Sequence, residues 1–275
     1  MIKVVRTSHD GGMPIWYNVT RGDKMAINRN AGKGIGMDIK GAKAIVTGGG
    51  SGYGKGIAAA LAAAGAETWI TGRNREKLFA AADEIGARAF VADASNGGGW
   101  DRLLAEVGDV DVLVNNAGFG GKIAPLAEQN DADIAAVIAT NLTGAIMGAS
   151  RVARGMAKRR RGVIVNVSSV CALHAWPGWS VYTAAKAGLL KFSHALHTEM
   201  RPYGVRVSCL VPSWGQTDFN RAAGISGASE DPKLAKECIS PSELGKVVAD
   251  IVTLPDHLTV PELVVQPMIQ EIIPM

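Results

Sequence analysis

Tyr182 and Lys186 stand four residues apart, the spacing that places two side chains on one face of a helix. A free phenol titrates near ~10, too high for easy proton exchange at neutral pH. A neighbouring ammonium favours the phenolate and brings that value down, so the pair could trade a proton with a substrate oxygen. By itself Tyr-x-x-x-Lys is common on amphipathic helices. Ser169, thirteen residues upstream, adds weight because it follows the apolar run Val163 to Val167. Ligands of open parallel sheets bind outside such strand ends.

A second cluster is Thr47-Gly48-Gly49-Gly50-Ser51-Gly52-Tyr53-Gly54, between the apolar run Ala44 to Val46 and an Ala-rich stretch. Glycines there let the backbone turn sharply and approach a pyrophosphate, whose charge rests on the helix N-terminus. The next apolar run, Thr68 to Ile70, ends in Thr71-Gly72-Arg73-Asn74-Arg75. Glycine occupies the place of the acid that would accept a ribose 2′-hydroxyl, and a guanidinium follows, which pairs bidentately with phosphate. NADP(H) is therefore expected, with NAD(H) as the alternative. Asp93, after the third apolar run, is a candidate acceptor for the adenine amino group.

These residues need elements to position them. Short apolar runs recur at Ala44–Val46, Thr68–Ile70, Ala89–Val91, Val112–Val114, Val163–Val165, Val205–Val211 and Leu263–Val265, each bounded by turn formers, as fully buried parallel strands would be. Helical periods fill gaps: Lys55 to Ala64, a helix capped by Asn74 and stopped at Gly86, a long one from Asn130 to about Met156, and Ser180 to Tyr203. Ser240-Pro241-Ser242-Glu243 reads as a capping box. Strands alternating with helices predict a single α/β domain, a Rossmann-type doubly wound fold around a seven-stranded parallel sheet.

From Asp38 onward the chain resembles the short-chain dehydrogenase/reductase family. The resemblance rests on the TGxxxGxG pattern at Thr47 to Gly54, Asn-Asn-Ala-Gly at Asn115 to Gly118, a helix-borne Asn141, Ser169, and the pair Tyr182 and Lys186. It implies an NADP(H)-dependent oxidoreductase interconverting a ketone or aldehyde with an alcohol. Tyr182 would be the general acid and base, Lys186 would hold the nicotinamide ribose and tune the tyrosine, Ser169 would bind the substrate oxygen, and Asn141 would anchor a relay water. It places the cofactor on Thr47, Gly48, Gly50, Ser51, Gly52, Tyr53, Gly54, Arg73, Asp93, Ala94, Asn115, Ala117, Gly118, Tyr182, Lys186, Pro212 and Thr217. A non-catalytic NADP(H) sensor and an enoyl reductase are the rival readings. Three departures stand out: Pro212-Ser213 where Pro-Gly is usual, Tyr53 where isoleucine is common, and a C-terminus, LTVPELVVQPM, without Asp-Gly-Gly. That ending resembles the branch of serine dehydrogenases and sulfoacetaldehyde reductases.

Phe119, Cys171, His174, Trp176, Trp179, Trp214 and Phe219 are candidates to frame a substrate pocket, with Cys171 a candidate reactive thiol. His194 and His197 have no acidic or cysteine partner arranged as a metal site and read as an exposed or interface pair; no metal site is expected. The 275 residues carry a net charge of +4, and residues 1–37 hold six bases against two acids, so the remainder is neutral. That segment reads as an N-terminal arm, docked through Pro14 to Tyr17, with residues 38–275 as the catalytic domain. The run Lys158 to Arg161 lacks interleaved aromatics and reads as a solvated turn rather than a nucleic-acid patch. No window approaches the roughly 18 consecutive apolar residues of a membrane span. The opening residues lack a signal-peptide core, and three cysteines without CxxC spacing suit a reducing compartment; a cytoplasmic location is expected. Self-association as a dimer or tetramer is expected through the helices starting near Asn130 and Ser180, with Gly144, Ala145 and Gly148 allowing close approach.

Overall fold

A computed structural model describes residues 36–224 and 231–271; the expected arm and its anchor patch lie outside them, apart from Gly36 and Met37. Seven strands form one parallel sheet: β1 (Lys43–Thr47), β2 (Glu67–Gly72), β3 (Arg88–Val91), β4 (Val112–Asn115), β5 (Gly162–Val167), β6 (Val205–Pro212) and β7 (Glu262–Val265), in the order β3-β2-β1-β4-β5-β6-β7. Chain order reverses between β1 and β4, and the crevice of such a sheet opens at that switch, beyond the strands' carboxyl ends.

Strand alternation divides the core between two faces. Ala44, Val46, Val112, Val114, Val163 and Val165 pack beneath α1 (Gly52–Ala63), α2 (Arg75–Ile85) and α8 (Pro241–Thr253). Ile45, Leu113 and Ile164 face the other way, toward α3 (Gly97–Val107), α5 (Gly144–Arg159) and the end of α6 (Ser180–Met200). The central strands are buried on both faces as expected. The edge strands β3 and β7 are not, since each has a neighbour on one side only.

Local signals end the helices where the sequence indicates. Asn74 Oδ1 accepts Lys77 N at 2.9 Å, Gly86 closes α2 at φ 68°, and Ser240 with Glu243 forms the capping box of α8. Helix α3 carries no such expectation: it opens on Gly97-Gly98-Gly99, a loop-like start rescued by the cap of Asn96 Oδ1 on Gly99 N at 2.9 Å. The long helix from Asn130 is two segments, α4 (Asp131–Ile138) and α5, joined by a π turn over Ala139–Thr143. Taken together, Asp131–Arg159 is long and apolar enough by length and composition to cross a membrane, with a mean hydropathy of 1.4, although, as expected, no run within it approaches roughly 18 consecutive apolar residues. Part of that apolarity serves the fold. Gly144, Ala145, Gly148, Ala149, Val152, Ala153 and Met156 are buried against the chain's own sheet and helices.

That placement corrects the role expected of the small residues. A Cβ on Gly144 would sit 2.7 Å from the Ala94 carbonyl, and one on Gly148 would sit 2.4 Å from the Trp100 ring. Gly144 admits the segment after β3 and Gly148 admits α3, both within the subunit. Within the basic run Lys158, Arg160 and Arg161 are exposed, as a solvated turn would have them; Arg159 pairs with Asp109 at 2.5 Å, and Arg160 takes the left-handed conformation at φ 55° and donates to Pro202 O. His194 Nε2 lies 2.9 Å from a carboxylate oxygen of Glu262 on β7. In Gly148→Ala the new methyl competes with Trp100, and overpacking of this kind costs about 1–3 kcal/mol. The urea midpoint of unfolding is expected to fall while the native mass stays the same; a changed mass with unchanged stability would return Gly148 to a subunit contact.

Candidate active site

The glycine-rich loop leaves β1 and enters α1 at the switch point. Gly48 and Gly52 adopt φ 67° and 51°, which side chains rarely tolerate, and a Cβ on Gly54 would fall 2.2 Å from the Gly48 carbonyl. The Ser51 side chain makes no capping bond and the first turn of α1 holds no acid, so the helix N-terminus is left to an anion. Thr47 does not face the cleft. It is buried, and its Oγ1 accepts the Asn116 and Ala117 amides at 3.0 Å each, fastening the end of β4 to the end of β1.

One cavity of about 650 Å³ joins this loop to the chemistry-bearing residues. Gly48, Ser51, Gly52, Tyr53, Gly54, Ala117, Gly118, Pro212 and Thr217 line it, together with Ser169, Tyr182 and Lys186. Asn115 does not. The last residue of β4 turns its Nδ2 toward Ala145 O and Asn166 Oδ1, and its neighbour Asn116 borders the cleft, donating to Thr47 O. Gly50, Arg73, Asp93 and Ala94 lie beyond the cavity wall. Gly50 backs onto Leu78 and the Ala94 carbonyl accepts Trp100 Nε1 at 2.9 Å. Asp93 Oδ1 already accepts the amide and hydroxyl of Ser95; partial burial opposes its ionisation, but those bonds and the nearby Arg73 hold the carboxyl below its ordinary value. Arg73 is exposed at the end of β2, 5.9 Å from the Phe119 ring centroid, and forms no ion pair among the described residues. An exposed guanidinium beside an uncapped helix N-terminus fits a phosphorylated dinucleotide.

Helix α6 carries Tyr182 and Lys186 into the core side by side. Lys186 Nζ donates to Val167 O at 2.9 Å, at the end of β5, and lies 5.7 Å from the Tyr182 ring centroid. Burial lowers the ammonium to about 8, with nearby thiols opposing. The expectation that Lys186 brings the phenol down is not met. Burial dominates and raises Tyr182 well above its ordinary value, Cys171 adds to the rise, and the Ser169 hydroxyl acts in the opposite direction. Ser169 Oγ also accepts Cys171 N at 3.2 Å, which holds the turn after β5. Asn141 sits on the π turn, outside the cavity wall. Its Nδ2 donates to Val137 O and Phe119 O at 3.0 and 2.9 Å, while Oδ1 is buried and has no partner among the described residues. A Cβ on Gly118 would lie 2.5 Å from that oxygen and 3.3 Å from Lys186 Nζ, so this position requires glycine.

Of the expected pocket residues, Phe119, Cys171, Trp176, Trp179, Trp214 and Phe219 line the cavity and His174 does not; its ring packs edge-on against Trp176. Trp179 stacks on Phe219 at 6.3 Å, and both rings lie within 5.5 Å of Tyr182. Cys171 is buried, and burial pushes its thiol up, with Ser169 and Lys186 opposing, which disfavours the thiolate that a reactive cysteine needs. The departures at Tyr53 and Ser213 meet each other. Tyr53 donates to Ser213 O at 3.2 Å, and the Ser213 hydroxyl donates to Gln270. Lys77, Ser168, Asn116 and Gln270 border the cavity unforeseen. Only Asn116, beside Asn115, and Lys77, in the first turn after Arg73, had any signal in the sequence.

Over residues 42–225 the chain matches the short chain dehydrogenase family. It is 38% identical over 214 residues to a 3-oxoacyl-[acyl-carrier-protein] reductase of Chlamydia muridarum, spanning 74% of this chain and 83% of that protein. It is 31% identical over 238 residues to an NADP-dependent 3-hydroxy acid dehydrogenase of Salmonella typhi, spanning 82% and 95%. The closed form of a serine dehydrogenase complexed with NADP+ superposes with a TM-score of 0.77 at 28% identity, over 85% of this chain and 98% of that one. The chain belongs to the short-chain dehydrogenase/reductase family and is an oxidoreductase with its doubly wound fold.

Proposed function

We propose that this protein reduces a ketone or aldehyde to an alcohol, and catalyses the reverse, with NADP(H) as cofactor. The observation that carries this reading is the single cavity walled at once by the glycine-rich loop and by Ser169, Tyr182 and Lys186. When bound, the nicotinamide supplies the hydride to the carbonyl carbon or takes it back. Tyr182 gives its proton to the carbonyl oxygen; burial keeps the phenol protonated, the form an acid must have. Ser169 orients that oxygen, Lys186 holds the ribose, and Asn141 anchors the relay water beside Gly118. Phe119, Trp176, Trp179 and Phe219 keep water from the reacting centre. Two of the relatives named above are a 3-oxoacyl-[acyl-carrier-protein] reductase and a 3-hydroxy acid dehydrogenase, which favours a 3-oxo or 3-hydroxy acid derivative as substrate. The exposed flank of Asp131–Arg159, where Ile146 stands open, supports self-association.

Three outcomes test the reading. Tyr182→Phe removes the proton donor and keeps the ring, so turnover of a screened carbonyl, followed by NADPH absorbance, is expected to fall at least ~10²-fold with NADPH affinity retained; unmutated turnover would refute the mechanism. Arg73→Ala is expected to raise the Michaelis constant for NADPH by about tenfold or more, as loss of a charged hydrogen bond implies, and to leave NADH nearly unaffected; equal effects would remove Arg73 from cofactor choice. The third outcome concerns pH. Lys186 is charged below about 8 and neutral above it, so kcat/KM for NADPH, which reports groups of the free enzyme, is expected to decline as pH rises through that value. A profile flat to pH 10 would show that the charge of Lys186 plays no part.

A further inference from the structure

Gln270 lies in the irregular segment after β7 and is only 6% exposed. Its carboxamide is oriented by its neighbours. The Trp214 amide, 3.4 Å away, can only donate, so the atom facing it must be Oε1, and the Ser213 hydroxyl donates to the same oxygen. Nε2, with two protons to give, therefore points elsewhere. It has no acceptor among the described residues, yet it is not one of the sealed, unpartnered polar atoms of the interior. Gln270 borders the cavity that Ser169 and Tyr182 also border. A buried amide is stable only when both ends are satisfied, and here the described residues satisfy one.

We infer that Gln270 Nε2 donates to a second acceptor on the substrate, a carboxylate or an acyl carbonyl separate from the carbonyl being reduced. This deepens the reductase reading and rests on it. Of the two cations in the cavity wall, Lys186 is bonded to Val167 O and Lys77 is paired with Asp218 at 3.7 Å, and Phe119, Trp176, Trp179, Trp214 and Phe219 add apolar surface. A plain alkyl ketone would leave the carboxamide unpaired, and sites built to bond a polar group reject analogues that lack it. Ser213, which stands where the family usually has glycine, serves this arrangement: its hydroxyl holds Oε1 and so turns Nε2 away from the loop.

The test compares acetoacetate, methyl acetoacetate and 2-pentanone, similar in size and differing in the second acceptor, with NADPH and the full chain. The wild type is expected to favour the acid or the ester over 2-pentanone by about tenfold or more in kcat/KM. Gln270→Glu keeps an acceptor for Ser213 and Trp214 but loses the donor, so that selectivity ratio should collapse. Collapse for the acid alone identifies a carboxylate as the partner, and collapse for both identifies the acyl carbonyl. Gln270→Met, of similar length and without a donor, gives the same reading should the glutamate variant fail to fold. No wild-type preference, or a ratio unchanged by both variants, overturns the inference and leaves the reductase standing. A wild type inactive on all three overturns the reductase reading itself.

Discussion

A lysine ammonium buried in the core is the constraint around which this site is built. Lys186 is 3% exposed, and desolvating a charge costs several kcal/mol unless partners replace water. The carbonyl of Val167 is such a partner, so α6 must lie against the carboxyl end of β5. Ser168 ties the backbone of the same lysine from the adjoining residue, its hydroxyl donating to Lys186 O at 2.9 Å. Gly118 must lack a side chain because Nζ and Asn141 Oδ1 crowd the place a Cβ would take. From the π turn Asn141 reaches both Val137 O and Phe119 O and presents its remaining oxygen beside Gly118.

Burial acts in opposite directions on the two members of the pair, and both directions suit carbonyl reduction. Removing water disfavours the charged form of each group, so the phenol holds its proton more tightly and the ammonium less tightly. An acid that donates at the moment of hydride transfer must begin protonated. The aromatic box of Trp179 and Phe219 contributes to this by excluding solvent from the phenol. The charge of Lys186 is correspondingly the titration closest to neutral pH in the proposed catalytic group.

Two departures from the family pattern are one feature in space. Tyr53 and Ser213 are 160 positions apart, and their hydrogen bond closes the glycine loop onto the segment after β6. A glycine at 213 would offer the same carbonyl to Tyr53 but no hydroxyl to Gln270. The segment after β6 is thereby fastened on one side to the cofactor loop and on the other to the segment after β7.

Much of the architecture is legible in the chain because its causes are local. Short apolar runs between turn formers mark all seven strands, Asn74 and Gly86 bound α2, and the Ser240 to Glu243 box opens α8, each through neighbours a few residues away. The motif spacing likewise identifies Ser169, Tyr182 and Lys186 as a group. What the chain does not disclose are side-chain directions and contacts between distant segments. Asn115 and Asn116 are adjacent and chemically identical, and only their places at the end of β4 send one into the core and the other to the cleft. Gly148 reads as a smooth helix face until Trp100 arrives from an element 48 residues earlier. The rise in the Tyr182 phenol, opposite to what its lysine neighbour implies, comes from the depth at which α6 packs. Periodicity and caps are carried by residues in sequence contact, whereas desolvation and long-range pairing exist only once the sheet has brought the segments together.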